Sequence, residues 1–345
     1  MPAGLNGIHQ NIAMTIVAVT PSNVYDEKEM EYLLKSSKAN NFTVEVIGLG
    51  KPFSWLNRIT WFRDYLATVS KDTIVCFTDA YDVFYTTGLD AIREKFLAFD
   101  CDIVWSAEKC YAHQLESDKE FYDKLCDSGL GYKYLNGGTF IGYAGPLLTL
   151  FTHILEISLH DKAFIQDFVD GGYPMYPVEK YFDDQMWISH HLRKYWKKYN
   201  IKLDYYCSIF YIPSEDTKDI DSFITKDLKN LRVIETGKIP CVIHVPWKSH
   251  YKNILTQLYT YKYGGFSGPL YFPTQKSYSW HGNLDFLQRG RLFSQALGWG
   301  YYIFTDTYIA EINLAKQTYI LGFSADYSEF SSLRVSDGEY KKGVM

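Results

Sequence analysis

The strongest constraint on the fold is a regular alternation of short apolar runs and amphipathic stretches in the first half of the chain. Thr15–Val19 and Ile74–Phe77 are typical of buried strands, and Trp55–Thr68 between them carries apolar residues at helical spacing. Apolar strands separated by helices form a mostly parallel sheet that is covered on both faces. The sequence therefore predicts an α/β fold, in which ligands bind at the carboxyl ends of the strands.

Other segments continue this pattern, and the composition changes after them. Near Tyr263 a stretch rich in glycine predicts a linker, and the short β-like runs beyond it predict a small antiparallel β domain over residues 263–345. Further strands are predicted at Thr43–Leu49, Asp102–Ser106, Asn136–Gly142, Tyr205–Tyr211 and Pro240–His244, and further helices at Tyr25–Ser36, Asp90–Ala98, Pro146–His160 and Val178–Lys198.

Charge and composition exclude several classes of function. The net charge of −5 provides no general basic surface for nucleic acid. No apolar stretch reaches the length of about 18 residues that a membrane helix needs. The early apolar segment Ile12–Val19 has neither a preceding basic residue nor a cleavage site, so no signal peptide is expected. The six cysteines have no zinc-binding spacing, and phosphate-binding glycine loops and nucleophile-elbow motifs are absent.

The segment Phe77–Val83 carries two aspartates, Asp79 and Asp82, directly after a predicted buried strand. Two carboxylates three residues apart in a turn can converge on one hard cation through oxygen ligands. A cation held by so few side chains keeps open positions that phosphate oxygens can fill. The alternative is an aspartate-rich turn that caps the following helix. The position at the end of an apolar strand favours the metal site.

A second acidic pair, Asp183 and Asp184, lies near the start of the predicted helix Val178–Lys198. Adjacent helical residues diverge by about 100°, so the two carboxylates cannot share one face. One can point into a cleft while the other caps the helix or bonds locally. Acidic residues at a helix start also balance the helix dipole, and chemistry alone slightly favours that interpretation.

Two more segments carry side chains suited to a nucleotide site. His244 ends a predicted strand and can give a nitrogen ligand to Mn²⁺, while Lys248 can offset diphosphate charge. Asn136 offers a donor and an acceptor, and Gly137 and Gly138 permit close backbone approach to a ligand. The alternatives are a buried structural histidine, a surface lysine and a plain tight turn, and the first two are the commoner situation.

Taken in order, seven segments resemble the glycosyltransferase domain of the procollagen lysyl hydroxylase family. The resemblance implies a GT-A fold, a Rossmann-like sheet that binds a UDP-sugar and Mn²⁺. We therefore expect a GT-A domain over residues 10–262 and a β-rich accessory domain over 263–345 that mediates dimerisation or binds glycan or acceptor. The segments are Val46–Gly50, Phe77–Val83, Ser106–Glu108, Tyr134–Ala144, Asp183–Gln185, Ser208–Phe210 and His244.

The resemblance also implies a metal site and a base site. Asp79, Asp82 and His244 would bind Mn²⁺ and, through it, the diphosphate of the UDP-sugar donor. Tyr81 would stack near uracil, and Thr20 at the end of the first strand would contact the base.

Other matched positions are expected around the donor sugar. Asp184 would lie near the reacting centre and Asp183 in sugar or acceptor binding. Arg58 falls near a family lysine that serves the nucleotide, and Lys248 is displaced from the family's diphosphate lysine. Tyr111 is the nearest match to a family tryptophan of the acceptor wall. Asn136, Gly137 and Gly138 match the segment beside the donor sugar.

The function implied is a Mn²⁺-dependent transfer of a hexose, glucose first, from a UDP-sugar to hydroxylysine or hydroxylysine-linked galactose of a collagen-like protein. One alternative is a hydroxylysine galactosyltransferase that uses UDP-galactose. Another is a weakly active or inactive glycan-binding or scaffold protein, and a third is a metal-dependent sugar-nucleotide hydrolase. Retention of anomeric configuration, which the family implies, is compatible with same-face attack and with double displacement.

Two further expectations concern context. The family's hydroxylase domain has no counterpart in this chain, which in this respect resembles the giant-virus relatives of the family. Together with the absence of a signal peptide, this predicts a cytoplasmic protein without membrane or nucleic-acid partners. A homodimer through the C-terminal domain is one of the two roles left open for residues 263–345, and glycan or acceptor binding is the other.

Overall fold

Residues 14–112, 115–126, 129–214, 220, 223–227, 230–246, 251–263, 272, 274–280, 282–287, 290–306 and 309–345 are described by the computed structural model of the chain. Its first part is built on a six-stranded sheet, and its last part is a closed barrel.

The six-stranded sheet has the strand order β2-β1-β3-β6-β5-β7. Neighbouring strands run parallel except at β6, which is antiparallel to both β3 and β5. The predicted α/β fold with a mostly parallel sheet is thus confirmed. The strands are β1 (Ile16–Pro21), β2 (Val44–Ile47), β3 (Ile74–Thr78), β5 (Ile103–Glu108), β6 (Tyr134–Tyr143) and β7 (Ile201–Asp204).

Helices cover both faces of this sheet because successive residues of the apolar strands point to opposite sides. On one face Phe77 packs against Phe62 of α2, while on the other Cys76 lies in the cluster that includes Phe96 of α3. The helices are α1 (Glu31–Ala39), α2 (Trp55–Leu66), α3 (Leu89–Leu97), α4 (Glu116–Leu125), α5 (Ala144–His153), α6 (Lys162–Asp170), α7 (Val178–Tyr181), α8 (Asp184–Tyr195) and α9 (Tyr251–Tyr263).

The predicted single helix Val178–Lys198 is interrupted between α7 and α8. Phe182 adopts an extended conformation, and its buried ring stacks on Trp187 of α8 with ring centroids 4.9 Å apart. The side chain of Asp183 then accepts a hydrogen bond from the backbone N–H of Met186, which makes Asp183 the N-cap of α8. The break therefore comes from a local cap and a buried anchor.

A three-stranded sheet with the order β4-β11-β8 lies beside the main sheet. It consists of β4 (Val83–Tyr85), β8 (Phe210–Tyr211) and β11 (Val242–His244), and a separate hairpin joins β9 (Ile224–Asp227) to β10 (Asn230–Val233). The antiparallel pairing of β11 with β4 sets His244 opposite Val83, next to Asp82.

The predicted strand Tyr205–Tyr211 is wrong over its first residues. The buried carboxylate of Asp204 accepts backbone N–H groups from Ser208, Ile209 and Phe210, so the chain turns before β8 begins.

The C-terminal part is a closed eight-stranded antiparallel barrel, in which β12 pairs with β19. Its interior is filled by aromatic rings, among them Phe286, Tyr302 and Phe323. The predicted antiparallel β domain is confirmed, with more strands than the sequence indicated. The strands are β12 (Lys276–Ser279), β13 (Asn283–Phe286), β14 (Arg291–Ser294), β15 (Gly298–Asp306), β16 (Ile309–Leu314), β17 (Gln317–Phe323), β18 (Glu329–Arg334) and β19 (Tyr340–Val344).

Strand β15 of the barrel packs on helix α9 of the first part, and α9 packs on α1. Ile303 points outward by the strand alternation, yet it is 2% exposed because it joins the apolar cluster of α9. Its cross-strand partner is Glu311, whose pKa is raised by burial. The exact boundary at residues 262 and 263 stays a prediction, since residues 264–271 lie outside the described residues. The expected homodimer receives no support from this fold.

Within the described parts of the chain, no helix is long and apolar enough to cross a membrane.

Candidate active site

Three acidic or basic side chains meet at the carboxyl edge of the strands. Asp79 follows β3 directly, Glu108 is the last residue of β5, and His244 is the last residue of β11. This is the edge at which α/β sheets bind ligands. The sequence prediction for the position of the site is therefore consistent with the fold.

Asp79, Asp82 and His244 form a group whose ligand atoms all lie within 4.8 Å of one another. His244 Nε2 lies 3.3 Å from Oδ2 of Asp79 and 3.4 Å from Oδ1 of Asp82. Two carboxylate oxygens and one imidazole nitrogen suit a divalent cation of borderline hardness, with positions left for other ligands. The structure thus brings together the three residues predicted to bind metal.

The strand β6 is irregular where it passes this group. Three residues of β5, from Trp105 to Ala107, lie opposite six residues of β6, from Leu135 to Phe140. The extra residues form a bulge, and the Asp79 backbone N–H bonds to the carbonyl of Gly138 within it at 2.8 Å. Bulges of this kind re-aim the chain beside functional sites.

Gly138 lies against two of the three candidate ligands. A Cβ atom at this position would come within 2.1 Å of His244 Cε1 and within 2.6 Å of Asp79 Oδ2. Both distances are far below van der Waals contact. The absence of a side chain at residue 138 therefore creates the space in which these ligands converge.

We predict that Gly138→Ala weakens Mn²⁺ binding at least tenfold, because the added methyl group displaces His244 and Asp79. Overpacking of this kind also costs about 1–3 kcal/mol of unfolding free energy. Titration with Mn²⁺ monitored by electron paramagnetic resonance measures the first effect and thermal unfolding the second. Gly322→Ala in the barrel is the matched control, because its Cβ would meet only Ser331 Oγ at 3.4 Å. An unchanged Mn²⁺ affinity in folded Gly138→Ala would contradict the prediction.

Arg58 links the metal group to the second acidic pair. Its side chain on α2 is buried, and it forms ion pairs with Asp79 and, at 2.9 Å, with Oδ2 of Asp184. Burial opposes the charge of Arg58, but Asp184 and Asp79 outweigh that effect and its pKa is raised. The resemblance implied that this arginine serves the nucleotide, and the structure places it between two carboxylates.

Asp183 and Asp184 diverge as the sequence analysis expected. Asp183 caps α8, and Asp184 lies in its first turn with Oδ1 accepting the N–H of Gln185 at 2.9 Å. Asp184 is buried and forms an ion pair with Arg58, whereas Asp183 is partly exposed. The two neighbouring carboxylates therefore have different environments.

The buried carboxylates and the histidine have strongly shifted pKa values. Burial raises the pKa of Asp184 to about 6, although Arg58 opposes this effect, and the charge of Asp183 adds to it. Burial alone would lower the pKa of His244, but the carboxylates of Asp82 and Asp79 raise it to about 10. Such perturbed groups in one cleft are typical of functional sites.

A buried hydrogen-bonded network lies behind the metal group and was missed by the sequence analysis. Glu108 is 2% exposed, and its Oε1 accepts from Asn136 Nδ2 at 3.2 Å and from Gln185 Nε2 at 2.8 Å. Gln185 Oε1 in turn accepts the N–H of Gly137 at 2.6 Å. The position of Glu108 at the end of an apolar strand, like that of Asp79, was the signal that could have identified it.

These residues line a cleft of about 500 Å³. Trp55 and Arg58 of α2 line it together with Tyr173 and Tyr181, which precede α8. Asp79, Asp82, His244 and Asp184 also line it. A larger cavity of about 1090 Å³ opens at the other edge of the sheet, where Lys71 and Asp102 are among its lining residues. It contains none of the residues of the candidate site.

Of four other predicted positions, three are not among the residues that line the cleft, and the fourth lies outside the described residues. Thr20 is fully buried, and its Oγ1 has no hydrogen-bond partner among the described residues. Tyr81 is partly exposed and its hydroxyl lies 2.9 Å from Ser22 Oγ. Tyr111 donates to the carbonyl of Leu115 at 2.9 Å. Lys248 lies outside the described residues.

Comparison with known proteins indicates a class for the first part of the chain. The family model of the PLOD GT domain matches residues 10–168, a little under half of the chain. This segment is therefore similar to the glycosyltransferase domains of that family. The matched segment includes Asp79, Asp82, Glu108 and Asn136, whereas Asp184, His244 and the barrel lie beyond it.

Two curated relatives carry names that refer to the modification of procollagen lysine. The chain is 30% identical over 166 residues to a procollagen-lysine,2-oxoglutarate 5-dioxygenase of Drosophila melanogaster, an alignment that covers 45% of this chain and 22% of the relative. It is 24% identical over 155 residues to the multifunctional procollagen lysine hydroxylase and glycosyltransferase LH3 of Rattus norvegicus, covering 41% of this chain and 20% of the relative. The chain thus spans about a fifth of the length of these relatives.

Among solved structures, the apo form of mouse xyloside xylosyltransferase 1 is similar over 58% of this chain and 75% of its own, with 14% identity and a TM-score of 0.34.

Proposed function

We propose that this chain is a divalent-cation-dependent hexosyltransferase that moves a hexose from a UDP-sugar to hydroxylysine, or to hydroxylysine-linked galactose, in a collagen-like protein. The observation that carries the proposal is the convergence of Asp79, Asp82 and His244 in one cleft with Asp184. The PLOD GT domain match over the first half of the chain supports the reaction class, and the names of the relatives support the acceptor.

Asp79, Asp82 and His244 would hold the cation, for which we propose Mn²⁺. The close approach of Gly138 to two of these side chains supports this assignment, because no other residue would leave room for them. A bound divalent cation stabilises the charge that develops on the diphosphate leaving group. The protein side chains supply the remaining steps by orienting the donor and the acceptor.

Asp184 is the carboxylate placed to stabilise positive charge on the sugar. Glycosyl transfer passes through a transition state with oxocarbenium character, which a nearby carboxylate stabilises. Its Oδ2 is paired with Arg58 and its Oδ1 with the N–H of Gln185. With both oxygens engaged, an electrostatic role suits Asp184 better than nucleophilic attack, which favours same-face transfer over double displacement.

The acceptor is proposed to contact Tyr173 and Tyr181, which line the cleft together with Trp55. Their neighbours in the chain, Met175 and Phe182, are buried, with 2% and 3% exposed. Tyrosine rings pack against the apolar faces of sugars while their hydroxyls bond to polar groups. We therefore propose these two tyrosines, in place of Tyr111, for the acceptor contact that the resemblance implied.

The proposal is tested by measuring release of UDP in the presence of Mn²⁺ from UDP-glucose, UDP-galactose and UDP-N-acetylglucosamine. Each donor is incubated with and without hydroxylysine peptides and galactosyl-hydroxylysine peptides, and EDTA controls accompany every reaction. We expect release that needs the cation and that one peptide stimulates with one donor. The product peptide gains the mass of one hexose.

Two outcomes would contradict the proposal. Release that no acceptor stimulates, without a glycosylated product, would indicate a sugar-nucleotide hydrolase. Absence of release with every donor, in protein that binds UDP and Mn²⁺, would indicate a binding protein.

A further inference from the structure

We infer that Asn136 is a positioning residue that fixes the tautomer of His244, so that Nε2 presents its lone pair to the cation. The inference rests on the proposed function, because it assumes that His244 is a metal ligand. It deepens that function by assigning to Asn136 a task different from contact with the donor sugar. The directions of the hydrogen bonds around the buried amide of Asn136 lead to this assignment.

A backbone group determines which way the Asn136 amide is oriented. The N–H of Gly138 lies 3.0 Å from Asn136 Oδ1, and a backbone N–H can only donate. On the other side, Asn136 Nδ2 lies 3.2 Å from Glu108 Oε1. Because the amide oxygen accepts from Gly138, the amide nitrogen faces Glu108 and donates to its carboxyl group.

The orientation of this amide then determines the state of the histidine. His244 Nδ1 lies 3.0 Å from the same Oδ1 of Asn136. An amide oxygen cannot donate, so Nδ1 must carry the hydrogen. In the neutral imidazole that binds a metal, Nε2 is then unprotonated, and Nε2 is the nitrogen that faces Asp79 and Asp82.

Burial keeps this arrangement in place. Asn136 is 3% exposed, Glu108 2% and His244 2%, so water competes little for these hydrogen bonds. Glu108 is itself held by Gln185 Nε2, which ties the amide to the first turn of α8 beside Asp184. Partners that orient metal-bound histidines in this way commonly change metal affinity by 10–100-fold when they are removed.

The first test compares Mn²⁺ affinity of variants by electron paramagnetic resonance, without donor or acceptor. We expect Asn136→Ala to weaken binding about 10–100-fold. Asn136→Asp keeps an oxygen that accepts from both N–H groups, and it should bind Mn²⁺ more tightly than the alanine variant. The matched control is Asn253→Ala, another buried asparagine, which lies on α9 and should leave Mn²⁺ affinity unchanged. Thermal unfolding confirms that each variant is folded.

The second test reads the tautomer directly. Long-range ¹H–¹⁵N correlation spectra of the Zn²⁺-loaded parent protein, labelled at histidine, should show the hydrogen of His244 on Nδ1. Assignment uses His244→Gln. A hydrogen on Nε2, or an alanine variant that is folded and binds Mn²⁺ within about twofold of the parent, would overturn the inference. Failure of the metal assignment is distinguishable, because the parent protein would then bind neither Mn²⁺ nor Zn²⁺ at this site. Failure of the transferase activity alone is seen in the UDP-release assay and leaves both of these tests unaffected.

Discussion

Asp184→Asn is expected to lower kcat about a thousandfold while the affinity for UDP and Mn²⁺ changes less than about threefold. The substitution keeps the size of the side chain and removes its charge. Arg58 retains its ion pair with Asp79, so the metal group keeps its surroundings. Steady-state kinetics and direct titration of UDP in the presence of Mn²⁺ separate the two effects.

The same carboxylate gives the pH profile of kcat/KM an acidic limb, which is a fall of activity at low pH. Burial raises the pKa of Asp184 to about 6, and Arg58 on one side and Asp183 and Asp79 on the other are the charges that act on it. Asp184 must be ionised to stabilise a positive sugar, so we expect kcat/KM to fall as the pH drops through about 6. Above that pH the carboxylate is charged and kcat/KM should reach a plateau.

Asp183→Asn is the matched control for both measurements. Asparagine is as good an N-cap as aspartate, so α8 should begin at the same residue. Its loss of activity should be much smaller than that of Asp184→Asn, and its acidic limb should remain. Equal losses in the two variants, or normal turnover in Asp184→Asn, would remove Asp184 from the reacting centre.

Asp79→Ala is expected to weaken Mn²⁺ binding at least about a hundredfold and to abolish UDP binding that depends on the cation. Affinity for hard cations follows the number of charged oxygen ligands, and this substitution removes one of two. Asp79 also contacts Arg58 and His244, so its loss disturbs both neighbours. Calorimetric titration with Mn²⁺, followed by UDP, measures both affinities.

Asp64→Ala provides the comparison for this variant. Asp64 lies on α2 with Arg58, but it is exposed and pairs with Arg63 on the surface. It should bind Mn²⁺ and UDP as the parent protein does. Normal Mn²⁺-dependent UDP affinity in folded Asp79→Ala would show that the cation, if it binds, is held elsewhere.

The main features of the sheet could be predicted from sequence because they depend on local patterns. The apolar runs of β1 and β3 and the periodicity of α2 are visible within short windows. The place of β6 between β3 and β5 could not be predicted, because strand order depends on pairing between distant residues. The barrel was underestimated for the same reason, since several of its strands are only four residues long.

In the candidate site, too, local features could be predicted, whereas contacts between distant residues could not. Asp79 and Asp82 were found because both follow a buried strand, and the divergence of Asp183 and Asp184 follows from helix geometry. The ion pairs of Arg58 and the network of Glu108 were not visible, because they join residues from separate elements. Sequence periodicity says where a side chain points, but not which partner lies opposite.

The connectivity of the barrel has a consequence for the order of folding. Its strands pair with their neighbours along the chain, and among the strand pairings of the described residues only the seam between Ser279 and Val344 joins residues far apart in the sequence. In the α/β part, by contrast, Ile103 pairs with Ile201, and Ile74 pairs with Tyr143. Closing long loops costs more entropy before any contact compensates for it. The hairpins of the barrel should therefore form ahead of the central sheet. The ligands of the metal group are far apart in the sequence, so this group should assemble among the last features of the molecule.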